Sequence, residues 1–300
     1  MDKGILLESG TNELEILEFQ VGNNYYGINV AKINEILPYQ KPTPVPNAHP
    51  SIEGIFMPRD TVISIIDLAK SLNLPDSTDK TTDKYIVTNF NKLNTGFHVH
   101  GVVGIHRVSW EEILKPDSTI SSEGSGLATG IIKLDGKLII ILDFEKIVSD
   151  INPETGLKVS DIDQLGKRKR NESPILIAED SHLLSKLILE CLHKAGYTNV
   201  VTTNNGQEAW NKLNEYKASG TIETNVSCVI TDIEMPQMDG HRLTKLVKSD
   251  DAFKGIPVVI FSSLINDDMR RKGELLGADA QLTKPEIGEL VKEIDKLVLY

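Results

Sequence analysis

The apolar residues of this sequence follow two different patterns, and the change between them lies near residue 165. The earlier part contains many short β-like runs separated by turn formers, such as YYGINV at 25–30 and KLIIIL at 137–142. The later part contains longer units, in which a continuous apolar run is followed by apolar residues at helical spacing. The two patterns predict two domains with different folds.

The earlier part has only brief helical pieces between its strand-like runs, which is typical of a β-barrel or β-sandwich. Turns are predicted at Gly22-Asn23-Asn24 and Asp135-Gly136. The segment INPETGLKVSDIDQLGKRKRNES after this part is polar and has no apolar period. We therefore predict domains over residues 14–152 and 174–300, joined by a linker over 153–173.

Composition and charge limit the class of protein. Hydrophobic residues make up 40% and charged residues 25% of the chain, which is enough apolar material for packed cores. The net charge of −11 argues against nucleic acid or an anionic membrane as a partner. Cys191 and Cys228 lie in apolar runs and are expected to be buried thiols in a reducing compartment. The first ten residues lack a signal-peptide pattern and no run is long enough to span a membrane, so a cytoplasmic protein is expected.

The later part consists of five units, each with a strand followed by a helix. Buried apolar strands that alternate with amphipathic helices predict an all-parallel, five-stranded α/β sheet covered on both faces. Helices are predicted over about 207–217 and 266–276, with another beginning near residue 240. In such sheets the functional site lies beyond the carboxyl ends of the strands.

Chemically active side chains follow four of these five strands. Glu179 and Asp180 come after the first, Asp232 after the third, Ser262 closes the fourth and Lys284 follows the fifth. Three clustered carboxylates repel one another unless a cation neutralises them, and Mg²⁺ prefers carboxylate oxygens. A lysine and a hydroxyl contact phosphoryl oxygens, and a carboxylate can accept a phosphoryl group. Each residue alone is more often a cap or a surface charge, but their joint placement favours a phosphoryl-transfer site.

These residues also carry a resemblance to a known family. The acidic pair, the aspartate followed by MPQMDG at 235–240, the serine, the Lys284-Pro285 pair and their spacings resemble the receiver domain of response regulators over nearly all of 174–300. The resemblance implies a doubly wound sheet with strand order 2-1-3-4-5 and a cis Lys284-Pro285 bond. The aromatic switch position of the family is Gln281 here, which removes the aromatic rotation and leaves movement of Ser262 and its loop.

The receiver resemblance also assigns roles to the residues at the strand ends. It implies that Asp232 is the phosphoacceptor and that Mg²⁺ is the cofactor. Asp180, Asp232 and the backbone carbonyl of Glu234 are then the metal ligands, and Glu179 orders metal-bound water. Ser262 and Lys284 would contact the phosphoryl oxygens.

The earlier part resembles the CheW family of chemotaxis coupling proteins. The matching segments are YGINVAKINEI at 26–36, HPSIEGIFMPRDTVISIIDL at 49–68 and TGIIKLDGKLIIILDFEKI at 129–147. The resemblance implies a pair of small β-barrels. It also puts Ile33, Glu35 and Arg59 on surfaces used for chemoreceptor or kinase contact. Core packing for Ile33 and ordinary surface charge for Glu35 and Arg59 remain the alternatives.

A CheW-like domain followed by a receiver is the arrangement of the CheV family. This likeness implies a cytoplasmic adaptor, clustered at chemoreceptor arrays, that couples methyl-accepting chemoreceptors to the histidine kinase CheA. Phosphorylation on Asp232 would contribute to adaptation, or the domain would act as a phosphate sink. The chain is then no metabolic enzyme, since a receiver catalyses only its own phosphoryl transfer and hydrolysis.

Two other functions and a histidine metal site fit the sequence less well. Mg²⁺-dependent phosphatases of the haloacid-dehalogenase group also use an aspartyl phosphate, but they carry Asp-x-Asp after the first strand, whereas Asp232 follows the third strand. A transcription factor would need a helix-turn-helix, for which neither part leaves room. His98 and His100 share one face of a strand and could hold a metal, but no cysteine or further carboxylate is expected to complete a ligand set.

Overall fold

The computed structural model of the chain describes residues 12–90, 93–116, 126–153 and 156–298. The chain forms two compact units, one of residues 14–108 and 113–155 and another of the residues from 156 onward together with residues 109–112 and the described residues before residue 14. The first ten residues, residues 154–155 of the predicted linker and residues 299–300 of the predicted second domain lie outside the described residues. Within the described ranges, no helix has the length and apolar character needed to cross a membrane.

The first unit is built almost entirely of β-strands in two five-stranded sheets, ordered β8-β1-β2-β10-β9 and β3-β6-β7-β5-β4. The strands are β1 Glu13–Val21, β2 Asn24–Asn29, β3 Ile33–Pro38, β4 Ile52–Phe56, β5 Ile63–Asp67, β6 Lys84–Phe90, β7 Leu93–Val99, β8 Gly101–Ser109, β9 Ala128–Leu134 and β10 Lys137–Leu142. Two short helices accompany them, α1 Leu68–Ser71 and α2 Phe144–Ile151. The predicted all-β fold of the first half is confirmed, with one five-stranded sheet in each of its two parts.

The predicted turns and the apolar faces of the strands explain this arrangement. Asp135 and Gly136 both have positive φ and join β9 to β10 as a two-residue hairpin turn. Helix α2 begins after Asp143, whose side chain accepts a hydrogen bond from the backbone N–H of Lys146 at 2.9 Å. The helix thereby directs Phe144 into the core, where its ring lies edge-on to that of Phe97 at 4.7 Å between centroids.

The second unit is an all-parallel sheet with the strand order β12-β11-β13-β14-β15, which confirms the predicted order 2-1-3-4-5. Its strands are β11 Ile175–Ala178, β12 Val200–Thr203, β13 Cys228–Thr231, β14 Val258–Ser262 and β15 Ala280–Thr283. Its helices are α3 His182–Lys194, α4 Gly206–Ser219, α5 Ile222–Asn225, α6 Gly240–Ser249, α7 Asp267–Leu275 and α8 Ile287–Val298. The short helix α5 was not predicted.

Both faces of this sheet are buried, because successive side chains of a strand point to opposite sides. Ile175 and Ile177 of β11 pack in one cluster with α3 and α8, whereas Leu176 and Ala178 pack in another with α4 and α6. The two cysteines, predicted to be buried thiols, are unpaired and buried, Cys191 in α3 and Cys228 in β13. The sheet therefore holds its strand ends on a rigid, well-packed support.

Part of the predicted linker has structure of its own. Residues 159–165 form a 3-10 helix, and Ile162 within it is 2% exposed and packs in the same apolar cluster as α3 and α8. Partly buried side chains beside it also pack against that cluster, namely Leu157, Val159 and Leu165. Val159, Ile162 and Leu165 are three residues apart, which matches the period of a 3-10 helix and not that of an α-helix or a strand. The division at 152 and 174 stays a prediction, while this segment packs on the second unit.

Candidate functional site

The carboxyl ends of β11 and β13 bring three carboxylates together. Glu179 and Asp180 follow β11 directly, and Asp232 follows the adjacent strand β13. The backbone N–H of Asp232 donates a 3.0 Å hydrogen bond to the carbonyl of Ala178, the last residue of β11. Each of the three acids has a carboxylate oxygen within 4.8 Å of one belonging to each of the others. Carboxylate oxygens at this spacing are a donor set that suits a hard divalent cation such as Mg²⁺.

Lys284, directly after β15, lies among these acids. Its Nζ is 2.8 Å from Glu179 Oε2 and 2.8 Å from Asp232 Oδ2. The residue is only 3% exposed, and a buried ammonium is stable only when paired and hydrogen-bonded. Lys284 thus donates to two carboxylates of the acidic cluster from within the fold.

Glu179 is the most deeply buried acid of the cluster. Burial raises the pKa of its carboxyl, Lys284 lowers it and Asp232 raises it again, so the pKa stays above the ordinary value. Its Oε1 accepts a 3.2 Å hydrogen bond from the backbone N–H of Ser181 at the start of α3. A divalent cation in the cluster would favour the ionised form of the Glu179 carboxyl and so would lower its pKa.

The MPQMDG loop sets the direction of the chain after Asp232. Met235 and Met238 are buried in the core beneath the loop. Asp239 begins α6, because its Oδ1 accepts a 2.6 Å bond from the backbone N–H of Arg242. A Cβ at Gly240 would lie 1.8 Å from the backbone oxygen of Asp232, so only glycine allows the backbone to pass there. The motif therefore holds the Asp232 backbone against the first turn of α6.

Ser262 and Glu234 complete the set of sites predicted in the second unit. Ser262 is the buried last residue of β14, and it pairs in register with Thr283, the residue before Lys284. The Ser262 Oγ accepts a 3.2 Å hydrogen bond from the backbone N–H of Leu264. Glu234 lies two residues after Asp232 and is half-buried. The structure gathers the predicted residues at one sheet edge, and their individual roles in binding metal and phosphate stay predictions.

Gln281, at the position of the aromatic switch, points inward. Its Nε2 donates a 2.7 Å bond to the carbonyl of Arg270 in α7. A Cβ at Gly273 would lie 2.3 Å from Gln281 Oε1, so this glycine makes the space that the amide fills. Sequence reasoning missed this partner, although an isolated glycine within a helical pattern is a recognisable signal. The Lys284-Pro285 bond is cis, as predicted.

The three residues singled out in the first unit occupy two kinds of environment. Arg59 Nη2 lies 3.1 Å from Glu35 Oε2, with 78% of the arginine side chain exposed. An exposed pair of this kind contributes at most about 1 kcal/mol to stability, so both groups stay available at the surface. Ile33 is half-buried at the start of β3 and packs against the core. Core packing thus describes much of Ile33, and a binding role for all three stays a prediction.

Comparison with known proteins finds two domain families in this order. Residues 15–152 match the CheW-like domain, and residues 175–295 match the response regulator receiver domain. Chemotaxis protein CheV3 of Helicobacter pylori is 30% identical over 96% of this chain and 95% of that protein. Chemotaxis protein CheY1 of the same organism is 32% identical over 42% of this chain and 95% of that protein. The crystal structure of scaffolding protein TtCheW from Thermoanaerobacter tengcongensis covers 48% of this chain and 93% of that one, at 22% identity and a TM-score of 0.43.

Proposed function

Because the chain belongs to the CheV family of chemotaxis coupling proteins, we propose that it couples chemoreceptors to the histidine kinase CheA under the control of phosphorylation at Asp232. The observation that carries the proposal is the contact of Lys284 Nζ with Asp232 Oδ2 at 2.8 Å inside a cluster of three carboxylates. That constellation stands in the same chain as a CheW-like domain. The chain thus combines a coupling domain with a phosphoryl acceptor.

The chemistry at the receiver site is a transfer from the phosphohistidine of the kinase. A carboxylate oxygen of Asp232 attacks phosphorus, the P–N bond breaks, and the imidazole keeps the electron pair and takes a proton from water. Asp180, Asp232 and the backbone carbonyl of Glu234 would hold a Mg²⁺ ion, with Glu179 beside them, and that ion supplies positive charge for the phosphoryl oxygens. Hydrolysis of the acyl phosphate by water returns the free carboxylate.

Lys284 and Ser262 contribute the protein's own donors to this reaction. Lys284 Nζ already contacts the acceptor carboxylate and would bond a phosphoryl oxygen once the acyl phosphate forms. The Ser262 hydroxyl ends the adjacent strand and would donate to another. Asp232 Oδ1 accepts a 2.6 Å bond from the backbone N–H of Ile233, which fixes the orientation of the carboxylate before it reacts.

The output of phosphorylation is a change in coupling. A phosphoryl group shifts the receiver between conformations only as far as it binds one of them better. With Gln281 bonded to the Arg270 carbonyl, movement of Ser262 and its loop is the route we propose for the signal. The expected consequences are a contribution to adaptation or a role as phosphate sink, at chemoreceptor arrays in the cytoplasm.

The coupling half is tested by reconstitution with receptor-containing membranes and CheA. Arg59→Glu should reduce both co-sedimentation of the chain and stimulation of CheA autophosphorylation, while phosphoryl transfer to the receiver stays unchanged. Lys133→Glu is the matched control, because it makes the same charge change at another exposed position of the same unit, on β9. Equal coupling by wild type and Arg59→Glu would remove Arg59 from the contact surface, and no coupling by the wild-type chain would contradict the adaptor proposal.

A further inference from the structure

A second group of potential metal ligands lies in the first unit, away from the receiver chemistry. Glu53 in β4, Asp67 at the end of β5 and His98 in β7 each have a ligand atom within 4.8 Å of one belonging to each of the others. Strands β7, β5 and β4 are neighbours in the second sheet, so the three residues lie on adjacent strands. Spacing along the chain does not reveal this group.

His98 is built into the centre of the group. The residue is 3% exposed, its ring stacks on Tyr39 at 4.8 Å between centroids, and Tyr85 lies edge-on to it at 5.7 Å. Its Nε2 lies 2.9 Å from Asp83 Oδ2, and that carboxylate is fully buried. A carboxylate on one ring nitrogen fixes the tautomer and leaves the other nitrogen as the ligand atom, as in carboxylate–histidine–zinc arrangements.

The other ring nitrogen makes an ion-pair contact but no aligned hydrogen bond. His98 Nδ1 and Glu53 Oε2 are 2.8 Å apart, but the contact does not have the alignment of a hydrogen bond. Neither buried atom has a hydrogen-bond partner elsewhere among the described residues. The other oxygen of Glu53 is occupied, since Oε1 accepts from the Tyr39 hydroxyl at 3.1 Å and lies 3.5 Å from Lys80 Nζ. The Nδ1 atom of His98 and the Oε2 atom of Glu53 therefore face the same small volume.

We propose that Glu53, Asp67 and His98 form a binding site for a divalent transition metal, of which Zn²⁺ is the reference ion. One imidazole and two carboxylates are a donor set found in zinc sites, with the remaining positions filled by water. Ligand atoms around a tetrahedral Zn²⁺ lie about 3.3 Å apart, so the 2.8 Å pair opens by roughly half an ångström or takes a higher coordination number. The ion would tie together β4, β5 and β7.

The competing occupant of this position is a proton. A protonated His98 between Glu53 and Asp83 would also balance the buried charge. Burial lowers the pKa of the imidazole, but the two carboxylates together raise it by more, so the net shift of the pKa is upward. The two occupants differ in a measurable way. A proton on His98 needs no third ligand, whereas a metal ion would also use Asp67. A metal ion would also bind with a measurable stoichiometry, which would change when any ligand is removed.

The test is titration of the metal-free full-length chain with Zn²⁺ by calorimetry, in millimolar Mg²⁺ to occupy the receiver's acidic cluster. We expect a zinc site that His98→Gln and Glu53→Gln each abolish and that Asp83→Asn weakens 10- to 100-fold. Co²⁺ in place of Zn²⁺ should give visible absorption bands that disappear with the same variants. Zn²⁺ should also raise the unfolding midpoint of the wild-type chain.

Matched controls separate this site from other acids and histidines. His106→Gln alters a His–Glu pair of the first sheet, His106 Nε2 to Glu18 Oε2 at 2.7 Å, and should leave the zinc stoichiometry unchanged. Asp180→Asn in the receiver should also leave it unchanged. Should His98→Gln fail to fold, Glu53→Gln keeps the side-chain volume and carries the test. Zinc binding that survives both ligand variants, or a wild-type chain that binds none in Mg²⁺, overturns the proposal in favour of the proton.

Discussion

At the scale of single residues, buried charges and buried neutral polar groups determine how the second unit behaves. Lys284 is neutralised by Glu179 and Asp232, whereas His241 in the first turn of α6 is buried and its Nε2 has no hydrogen-bond partner among the described residues. Burial, together with the nearby Lys272 ammonium, lowers the pKa of His241 to about 3. The Lys284 ion pairs belong to the candidate site, whereas the buried neutral His241 makes the fold sensitive to acid.

The depressed pKa of His241 predicts a loss of stability as the pH falls. The unfolded chain takes up the imidazole proton near its ordinary pKa of 6.5, while the folded chain resists it down to about 3. The stabilising contribution is therefore complete above pH 6.5 and decreases below it, by about 2 kcal/mol between pH 7 and pH 5. Urea denaturation at both pH values should show that His241→Asn reduces this difference by about that amount.

The control for this prediction is His193→Asn, at an exposed position in the last turn of α3. It should leave the pH 7 to pH 5 difference unchanged. If His241→Asn kept the full acid sensitivity of the wild type, another group would be responsible for it.

At the scale of elements, two glycines allow close packing that a methyl group would prevent. Gly240 opens α6 where the backbone passes the Asp232 carbonyl, and Gly273 lies in α7 beside the Gln281 amide. In both places the contact links a helix to a residue that lies in a strand of the sheet or directly after one. Helix packing and site geometry are thus coupled through these positions.

Gly240→Ala should destabilise the second unit and disturb Asp232. The added Cβ would lie 1.8 Å from a backbone oxygen, so the loop must move, at a cost of about 3 kcal/mol or more. Gly288→Ala in α8 is the control, since a Cβ there meets nothing within 4 Å and alanine favours a helix by up to about 1 kcal/mol. Urea denaturation of both variants checks the prediction, and equal stabilities would contradict it.

Gly273→Ala should lose stability in spite of its better helix propensity, because Gln281 occupies the space of the new methyl group. Combining it with Gln281→Ala should recover the helical gain of about 1 kcal/mol relative to Gln281→Ala alone. A double-mutant cycle from denaturation curves measures this coupling. Additive effects of the two substitutions would show that the two side chains do not compete for space.

The elements were predictable where the apolar period was strong. The helix expected over 207–217 is Gly206–Ser219, the one over 266–276 is Asp267–Leu275, and the site residues at the strand ends follow from the parallel sheet. The 3-10 helix at 159–165 was missed, since its three-residue period fits neither helix nor strand patterns. The group of Glu53, Asp67 and His98 was missed because its members come from three strands whose pairing local sequence does not give.

At the scale of the whole molecule, the two units have separate apolar cores. The order of the units, CheW-like and then receiver, agrees with the chain-long similarity to CheV3. Each unit's core was foreseeable from composition and period, whereas the packing of the 3-10 helix at 159–165 was not. Ile162 shows that the second unit includes residues from the predicted linker.

Two fragments measure the contribution of that segment. A receiver fragment of residues 156–300 should be more stable than one of residues 174–300, by about 3 kcal/mol for the burial of Ile162 and its apolar neighbours. The shorter fragment would expose the surface between α3 and α8 to water. Denaturation midpoints of the two fragments provide the measurement, and identical values would mean that the segment adds nothing to the receiver.

Transfer of ³²P from labelled CheA to the full-length chain tests the central claim most directly. We expect Mg²⁺-dependent labelling of the wild type and of Asp251→Ala, a control at an aspartate that is 95% exposed. Asp232→Ala should fold normally and take up no label, because the acceptor oxygen is gone. Label retained on Asp232→Ala would contradict the assignment of the acceptor. Absence of label on the wild type would contradict phosphorylation-controlled coupling and leave the CheW-like unit as the functional part.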